Sequence, residues 1–136
     1  LQNNKPLKDM TIVTSKNHGN ATLKNLINKV GFREVKVMGS IGCKIASIIR
    51  GECDIYISLS LPGKSSPKDW DFAAPEAILK SAGGRITNLE NEELVYNKPN
   101  FNQRGIIVAT NNNSTHKDIC IQIKQIIREN NLFSLD

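Results

Sequence analysis

The alternation of apolar and polar positions along the chain predicts short strands separated by helices. Runs of β-branched residues and strand-like alternation predict β-strands at 10–14, 34–38, 53–59, 85–89 and 105–110. Apolar residues at helical spacing predict helices at 21–30, 41–49, 71–82 and 116–127. Strands that are joined through helices pair in parallel by right-handed crossovers. The order of elements therefore predicts an α/β fold with a mixed, mostly parallel sheet flanked by helices.

The region after residue 84 is predicted to add antiparallel structure. Strand 85–89 is followed by a polar turn at Glu90–Glu93, and Leu94–Tyr96 is predicted to return beside the strand as its hairpin partner. The segment Gly105–Thr110 is the most hydrophobic of the predicted strands. A strand of that composition is expected in the interior of a sheet.

The last helix is predicted from a stripe of isoleucines. Its cap is expected at Ser114 or Thr115, because hydroxyl side chains accept hydrogen bonds from the first amides of a helix. His116 then falls in the first turn, where we expect it to be exposed to solvent. The apolar stripe consists of Ile119, Ile123, Ile126 and Ile127.

The stretch 68–85, with the sequence KDWDFAAPEAILKSAGGR, combines a helix start and a helix stop. Pro75 is tolerated best within the first turn of a helix, so the helix is predicted to start near Asp71. The Asp71 carboxylate would then lie at the positive end of the helix, where it could hold a hard cation or serve as a cap without a ligand. Gly83 and Gly84 are a C-terminal stop, because glycine reaches the left-handed conformation without a steric penalty.

Two polar loops that follow predicted strands are candidate ligand sites. The first loop, 15–20 (SKNHGN), precedes a helix and contains His18, which is either a solvated loop side chain or a group that contacts a ligand. The second, 39–44 (GSIGCK), offers Ser40 as a helix cap and Lys44 on the first turns. A glycine loop, free amides at a helix start and an ammonium one turn along can bind an anion. In the alternative interpretation, Lys44 is an ordinary solvated lysine on a helix surface.

Composition narrows the class of protein. The chain has 136 residues, 39% of them hydrophobic, and a formal net charge of +5, which suits one domain with an anionic partner. Arginine-rich runs and membrane-spanning stretches are missing from the sequence, so we expect neither a nucleic-acid nor a membrane partner. Three cysteines without a CxxC pair suggest reduced thiols in a cytoplasmic protein. Residues 1–9 are predicted to be a tail or linker, and 10–136 the domain.

Three of these strings carry a family resemblance. The string WDxAAPExILxxxGG at 70–84, together with TSKNHGN at 14–20 and GSIGCK at 39–44, resembles the inositol monophosphatase superfamily of metal-dependent, lithium-sensitive phosphatases. Within it, the strings are most similar to the 3'(2'),5'-bisphosphate nucleotidase branch. Asp54 and Tyr56 match that family's Ala-Asp-x-Tyr positions and are expected to be structural.

The resemblance implies roles for individual residues. Asp71 would be a Mg²⁺ ligand. Ser15 and His18 would contact the nucleotide, while Ser40 and Lys44 would hold a substrate phosphate. The chain departs from the family where asparagine and glycine replace the serines on either side of the histidine, which removes two hydroxyl contacts.

The resemblance also implies that part of the site is missing. The family binds its other Mg²⁺ ions through a Glu-Glu pair and an Asp-Pro-x-Asp-Gly-Thr motif, and this chain contains no Asp-Pro dipeptide. Two-metal phosphate chemistry needs several carboxylates. We therefore expect the C-terminal half of the family's α-β-α-β-α sandwich, without the N-terminal catalytic half and inactive by itself.

The implied reaction of the complete enzyme is Mg²⁺-dependent hydrolysis of the 3'-phosphate of adenosine 3',5'-bisphosphate to AMP and phosphate. The expected partners are a phosphorylated nucleotide and the missing N-terminal domain, and the oligomeric state is left open. The alternatives are an inositol monophosphatase or sugar bisphosphatase of the same superfamily, and a non-catalytic remnant that binds nucleotides.

Overall fold

The computed structural model describes residues 5–15, 21–60, 69–95 and 105–132, and for residues 60 and 69–71 it describes the backbone. A short 3-10 helix at Leu7–Asp9 precedes the first strand. The strands are β1 (Thr11–Ser15), β2 (Glu34–Met38), β3 (Ile55–Ser60), β4 (Arg85–Asn88) and β5 (Gly105–Thr110). The helices are α1 (Ala21–Val30), α2 (Ile41–Ile49), α3 (Asp69–Ser81) and α4 (Asn113–Glu129).

The five strands form one sheet in the order β2-β1-β3-β5-β4. β1 pairs in parallel with β2 and with β3, whereas β5 is antiparallel to both β3 and β4. Four strands therefore run in one direction and β5 runs against them, which confirms the prediction of a mixed, mostly parallel sheet. β5 has a partner on each side, as its hydrophobic sequence predicted.

Helices cover both faces of the sheet. Buried residues of α1 and α4 pack with the residues of one face, among them Ile12, Ile55 and Val108. Buried residues of α2 and α3 pack on the other face, with Val13 and Tyr56. The strand alternation that was visible in the sequence thus separates two apolar cores. None of the described helices is long and apolar enough to cross a bilayer.

Residues 5–9 pack against the rest of the domain. Leu7 is 5% exposed and belongs to the core on the α1 and α4 face. The Asp54 carboxylate accepts hydrogen bonds from the Thr11 amide at 2.9 Å and from the Lys5 ammonium at 3.2 Å. Residues 5–9 are therefore part of the packed domain, and the prediction of a tail or linker was wrong for them, because one buried leucine in a polar stretch gives no periodic signal.

The start of α3 also differs from its prediction. The helix begins at Asp69, so Pro75 is its seventh residue and lies inside the helix, outside the first turn. Phe72 and Leu79, one on each side of the proline, are buried in the core that α2 shares with α3. This packing holds the helix together against the penalty of about 3 kcal/mol that an interior proline carries.

The end of α3 was predicted correctly. Gly83 has a φ of +91°, and its amide and that of Gly84 donate to the carbonyls of Lys80 and Leu79, which is the Schellman pattern. A β-carbon on Gly84 would lie 2.5 Å from Leu79 Cδ1 and 2.5 Å from the Thr110 carbonyl oxygen. The position therefore requires glycine for lack of space.

We predict that Gly84→Ala lowers the free energy of unfolding by about 2 kcal/mol, because the backbone of β5 would have to move away from the added methyl group. The measurement is urea unfolding followed by circular dichroism. Gly42→Ala is the matched control, since its β-carbon would meet only the Ser40 Oγ at 3.9 Å and it lies within α2. That control should gain stability from helix propensity. Equal effects of the two substitutions would contradict the argument.

The hairpin predicted after β4 is reduced to a single bridge within the described residues. Thr87 pairs with Glu93, and the Asn88 side chain closes the turn by accepting from the amides of Glu90 and Glu92. Leu94 packs partly against the core, Val95 is 62% exposed, and Tyr96 lies outside the described residues. The prediction of a strand at Leu94–Tyr96 is not met at Leu94 and Val95, because the tight turn leaves one pairing position.

The prediction for His116, in the first turn of α4, was wrong. His116 is fully buried, not exposed: its Nε2 lies 2.6 Å from Thr87 Oγ1 and its Nδ1 lies 2.8 Å from Thr110 Oγ1. Burial, with a smaller contribution from the Arg85 charge, lowers the His116 pKa to about 4. The cap is Asn112, whose side chain accepts from the Ser114 amide, so neither Ser114 nor Thr115 is the cap.

Candidate anion-binding site

The C-terminal ends of three parallel strands lie at one edge of the sheet, and each strand is followed by a helix. β1 ends at Ser15, which is paired with Met38 at the end of β2. α2 follows β2, and α3 follows β3 in the chain. The starts of α2 and α3 therefore lie at the same edge as Ser15. In α/β sheets, this edge is where ligands bind.

Lys44 connects two of these strand ends. Its Nζ donates to the Ser15 Oγ at 2.9 Å and to the Gly39 carbonyl oxygen at 3.1 Å. The lysine is 1% exposed, which makes it one of the most buried large side chains in the chain. The interpretation of Lys44 as a solvated surface lysine is therefore wrong.

The Lys44 ammonium has no carboxylate partner among the described residues. Its contacts there are the Ser15 hydroxyl, the Gly39 carbonyl and the ring of Tyr56. Desolvation lowers the Lys44 pKa from its ordinary value, and the neighbouring Cys43 acts in the opposite direction. Buried charges in proteins are normally paired, so an ammonium held by neutral groups is suited to receive an anion.

Ser40 caps α2, as the sequence predicted. Its Oγ accepts from the Cys43 amide at 3.0 Å, and its carbonyl accepts from the Lys44 amide at 3.1 Å. The amides of Ile41 and Gly42 follow the cap at the start of the helix. Together with the helix dipole they give this end a positive potential. Ser40 therefore acts at this edge mainly by setting where the helix begins.

Tyr56 also belongs to this site, beside Lys44, and the sequence analysis did not identify it as a site residue. Its ring centroid lies 5.2 Å from the Lys44 Nζ, and the side chain is 2% exposed. Strand alternation places Tyr56 on the face that α2 covers, but the pattern alone predicts only packing. Its contact with Lys44 could have been predicted from the fact that Tyr56 and α2 lie on the same face of the sheet. That prediction would have required the order of the strands to be known.

Two predicted site residues cannot be placed as side chains. His18 lies outside the described residues. Asp71 is the third residue of α3, so its backbone is in the first turn of that helix, but its side chain is not described. The predicted roles of both residues remain predictions. The structure brings together Ser15, Ser40 and Lys44.

The described side chains do not supply a complete metal site. Within them, no group of three or more histidine, cysteine, aspartate or glutamate residues is arranged to hold a metal ion. Mg²⁺ takes an octahedral set of oxygen ligands and is usually bound through one or two carboxylates with substrate phosphates. One predicted carboxylate, Asp71, would hold such an ion together with substrate phosphates, waters or carboxylates from outside the described side chains.

Comparison with known proteins gives consistent matches. Over 103 residues, covering 74% of this chain and 32% of the relative, the chain is 34% identical to 3'(2'),5'-bisphosphate nucleotidase 1 of Mus musculus. It is 36% identical over 85 residues to the 3'(2'),5'-bisphosphate nucleotidase CysQ of Aggregatibacter actinomycetemcomitans, covering 58% of this chain and 30% of the relative. The chain thus spans about a third of the length of these curated relatives.

Solved structures agree on the fold. An inositol monophosphatase (IMPase) of Thermotoga maritima superimposes with a TM-score of 0.67 at 19% identity, covering 95% of this chain and 46% of that one. The staphylococcal SaIMPase-II with inositol monophosphate bound gives a TM-score of 0.69 at 21% identity, with the same coverage of 95% and 46%. The sequence model of the inositol monophosphatase family matches residues 3–128. This chain therefore belongs to the inositol monophosphatase family.

Proposed function

We propose that this chain forms the substrate-binding side of a phosphomonoesterase that hydrolyses the 3'-phosphate of adenosine 3',5'-bisphosphate. The observation that carries the proposal is the buried Lys44 ammonium without a carboxylate partner among the described residues. The Ser15 hydroxyl and the capped start of α2 lie beside it. The names of the mouse and bacterial relatives support a bisphosphate nucleotide as the substrate.

In this proposal, Lys44 and the amides that follow Ser40 hold the 5'-phosphate. The pairing of a buried ammonium with a phosphate dianion is a charge-assisted interaction in a site shielded from water. Ser15 and His18 contact the nucleoside. Holding the substrate at its non-reacting phosphate fixes the position of the 3'-phosphate, which lowers the entropic part of the reaction barrier.

The reaction itself is the transfer of a phosphoryl group to water. The bond between phosphorus and the 3'-oxygen breaks, a bond from phosphorus to the water oxygen forms, and AMP leaves with a proton on its 3'-oxygen. We propose Asp71 as one Mg²⁺ ligand of the site, with the other carboxylates supplied by an N-terminal half outside these 136 residues. The chain alone is then expected to bind substrate without turnover.

The second candidate is an inositol monophosphatase. It is favoured by the solved structure that contains inositol monophosphate and superimposes with a TM-score of 0.69. We prefer the bisphosphate nucleotide because the relatives at 34% and 36% identity are bisphosphate nucleotidases.

The experiment is isothermal titration of the chain with adenosine 3',5'-bisphosphate, adenosine 3'-monophosphate and inositol 1-phosphate, each with and without Mg²⁺. We expect the bisphosphate to bind about 10- to 100-fold more tightly than the 3'-monophosphate, since a charge-assisted hydrogen bond contributes about 1.5–3 kcal/mol. Tighter binding of inositol 1-phosphate would favour the alternative. Binding of none of the three would contradict both, and phosphate release by the chain alone would refute the expected absence of turnover.

We further predict that Asp71→Asn removes the effect of Mg²⁺ on bisphosphate affinity and leaves the melting temperature nearly unchanged. An amide carries no charge to attract the cation, and the substitution keeps the size of the side chain. The ratio of dissociation constants with and without Mg²⁺ is the measurement. Asp118→Asn, an exposed position on α4, is the control. A Mg²⁺ effect that survives in Asp71→Asn would remove the ligand assignment.

A further inference from the structure

Tyr56 lies on β3, the middle strand of the sheet, and its ring is next to Lys44 of α2. In register, it is opposite Val13 of β1 and Ala109 of β5, so strands cover both edges of its backbone. Its side chain belongs to the core that α2 and α3 cover. A residue in this setting has a fixed position, since neither its strand nor its side chain has room to move.

The ring of Tyr56 faces a cation. Lys44 Nζ lies 5.2 Å from the ring centroid, within the distance of about 6 Å at which the electron-rich face of an aromatic ring attracts an ammonium. Both side chains are almost completely buried. Cation–π attraction is stronger when the cation is removed from water, as it is here.

Among the described residues, the other contacts of Lys44 are with neutral groups, so the Tyr56 ring is the contact that favours its positive charge without neutralising it. Lys44 donates to one hydroxyl and one carbonyl, and no described carboxylate neutralises it. A carboxylate in place of the ring would stabilise the ammonium but would also cancel its charge and repel a phosphate. An aromatic face stabilises the cation and leaves its full charge available to an incoming anion.

We propose that Tyr56 is a positioning residue that holds the Lys44 ammonium charged and in place for a phosphate group. The part of this proposal that concerns the phosphate rests on the proposed function. Desolvation by burial opposes the charged form of Lys44, and the Cys43 side chain, next to it on α2, supports that form. The ring of Tyr56 adds to that support from β3.

The test replaces Tyr56 with phenylalanine, with pentafluorophenylalanine and with methionine. Fluorine withdraws electron density from the ring face with little change of shape, so it weakens the attraction without emptying the core. The titration of Lys44 is followed by NMR on chains with ¹³C-labelled lysine. Bisphosphate affinity is measured by isothermal titration.

We expect phenylalanine to leave the Lys44 pKa unchanged and to keep the bisphosphate affinity within about twofold of wild type. Pentafluorophenylalanine and methionine should both lower the Lys44 pKa and weaken bisphosphate binding by about tenfold. A Lys44 pKa that is the same in the phenylalanine and pentafluorophenylalanine proteins would overturn the proposal, even if the methionine variant does not fold. A pKa that falls as expected in a chain that binds no bisphosphate would uphold the Tyr56 role and refute the proposed function.

Discussion

Replacing Lys44 with methionine is expected to weaken adenosine 3',5'-bisphosphate binding by about 10- to 100-fold, because one or more charge-assisted hydrogen bonds are lost. The same substitution should leave the free energy of unfolding unchanged or raise it by up to about 2 kcal/mol. Methionine has a similar length and fills the same space, and it removes a buried charge that has no carboxylate partner among the described residues. Loss of binding with gain of stability is typical of a residue retained for function.

The measurement compares two ligands in two proteins. The bisphosphate should lose affinity in Lys44→Met, whereas adenosine 3'-monophosphate, which lacks the 5'-phosphate, should bind the variant and the wild type about equally. Lys117→Met is the control, since Lys117 is exposed on α4 and the change of net charge is the same. An equal loss for both ligands would contradict the placement of the 5'-phosphate at Lys44, and an equal loss in the control would contradict a specific phosphate site there.

The second large effect is expected in the pH dependence of stability. His116 has a pKa of about 4 in the folded protein, against an ordinary value of 6.5, so the unfolded chain binds the proton more tightly. The stability of the fold that depends on a neutral His116 is fully present above pH 6.5. The free energy of unfolding then falls as the pH drops from 6.5 towards 4. A shift of this size corresponds to about 3 kcal/mol over that interval.

The physical cause is the closed polar environment of the ring. Thr87 Oγ1 donates to the Asn88 carbonyl, so it accepts from His116 Nε2, and Nδ1 then accepts from the Thr110 hydroxyl. This arrangement satisfies the neutral imidazole at both nitrogens. A second proton would add a charge that neither threonine nor the nearby Arg85 can compensate.

The experiment is urea unfolding of the wild type and of His116→Gln between pH 4 and pH 7.5. Glutamine does not titrate, so the difference between the two curves isolates the His116 contribution from that of the carboxylates and His18. The wild type should lose about 3 kcal/mol more than the variant on acidification. Parallel curves would contradict the buried, neutral His116.

The sequence was sufficient where structure is set locally. The cap at Ser40, the α1 helix at Ala21–Val30 and the stop at Gly83 all follow from residues that are neighbours in the chain. The strand pattern predicted a mixed sheet, because apolar alternation and crossovers are sequential features. The family strings predicted the family, since they contain uncommon combinations of residues.

The sequence was insufficient where distant elements decide the environment. His116 was expected in solvent, but α4 places it against threonines of β4 and β5. Pro75 was expected at a helix start, yet buried residues on both sides keep it within α3. The contact between Lys44 and Tyr56 joins α2 to the middle strand. No spacing along the chain encodes these contacts.

The central claim is that Lys44 receives a phosphate, and its own resonance tests that most directly. In a chain with ¹³C-labelled lysine, titration with adenosine 3',5'-bisphosphate should shift the Lys44 Cε signal saturably and raise the Lys44 pKa, since an anion favours the ammonium. Adenosine should leave both unchanged. A bisphosphate that binds and saturates without moving the Lys44 signal or its pKa would contradict the account.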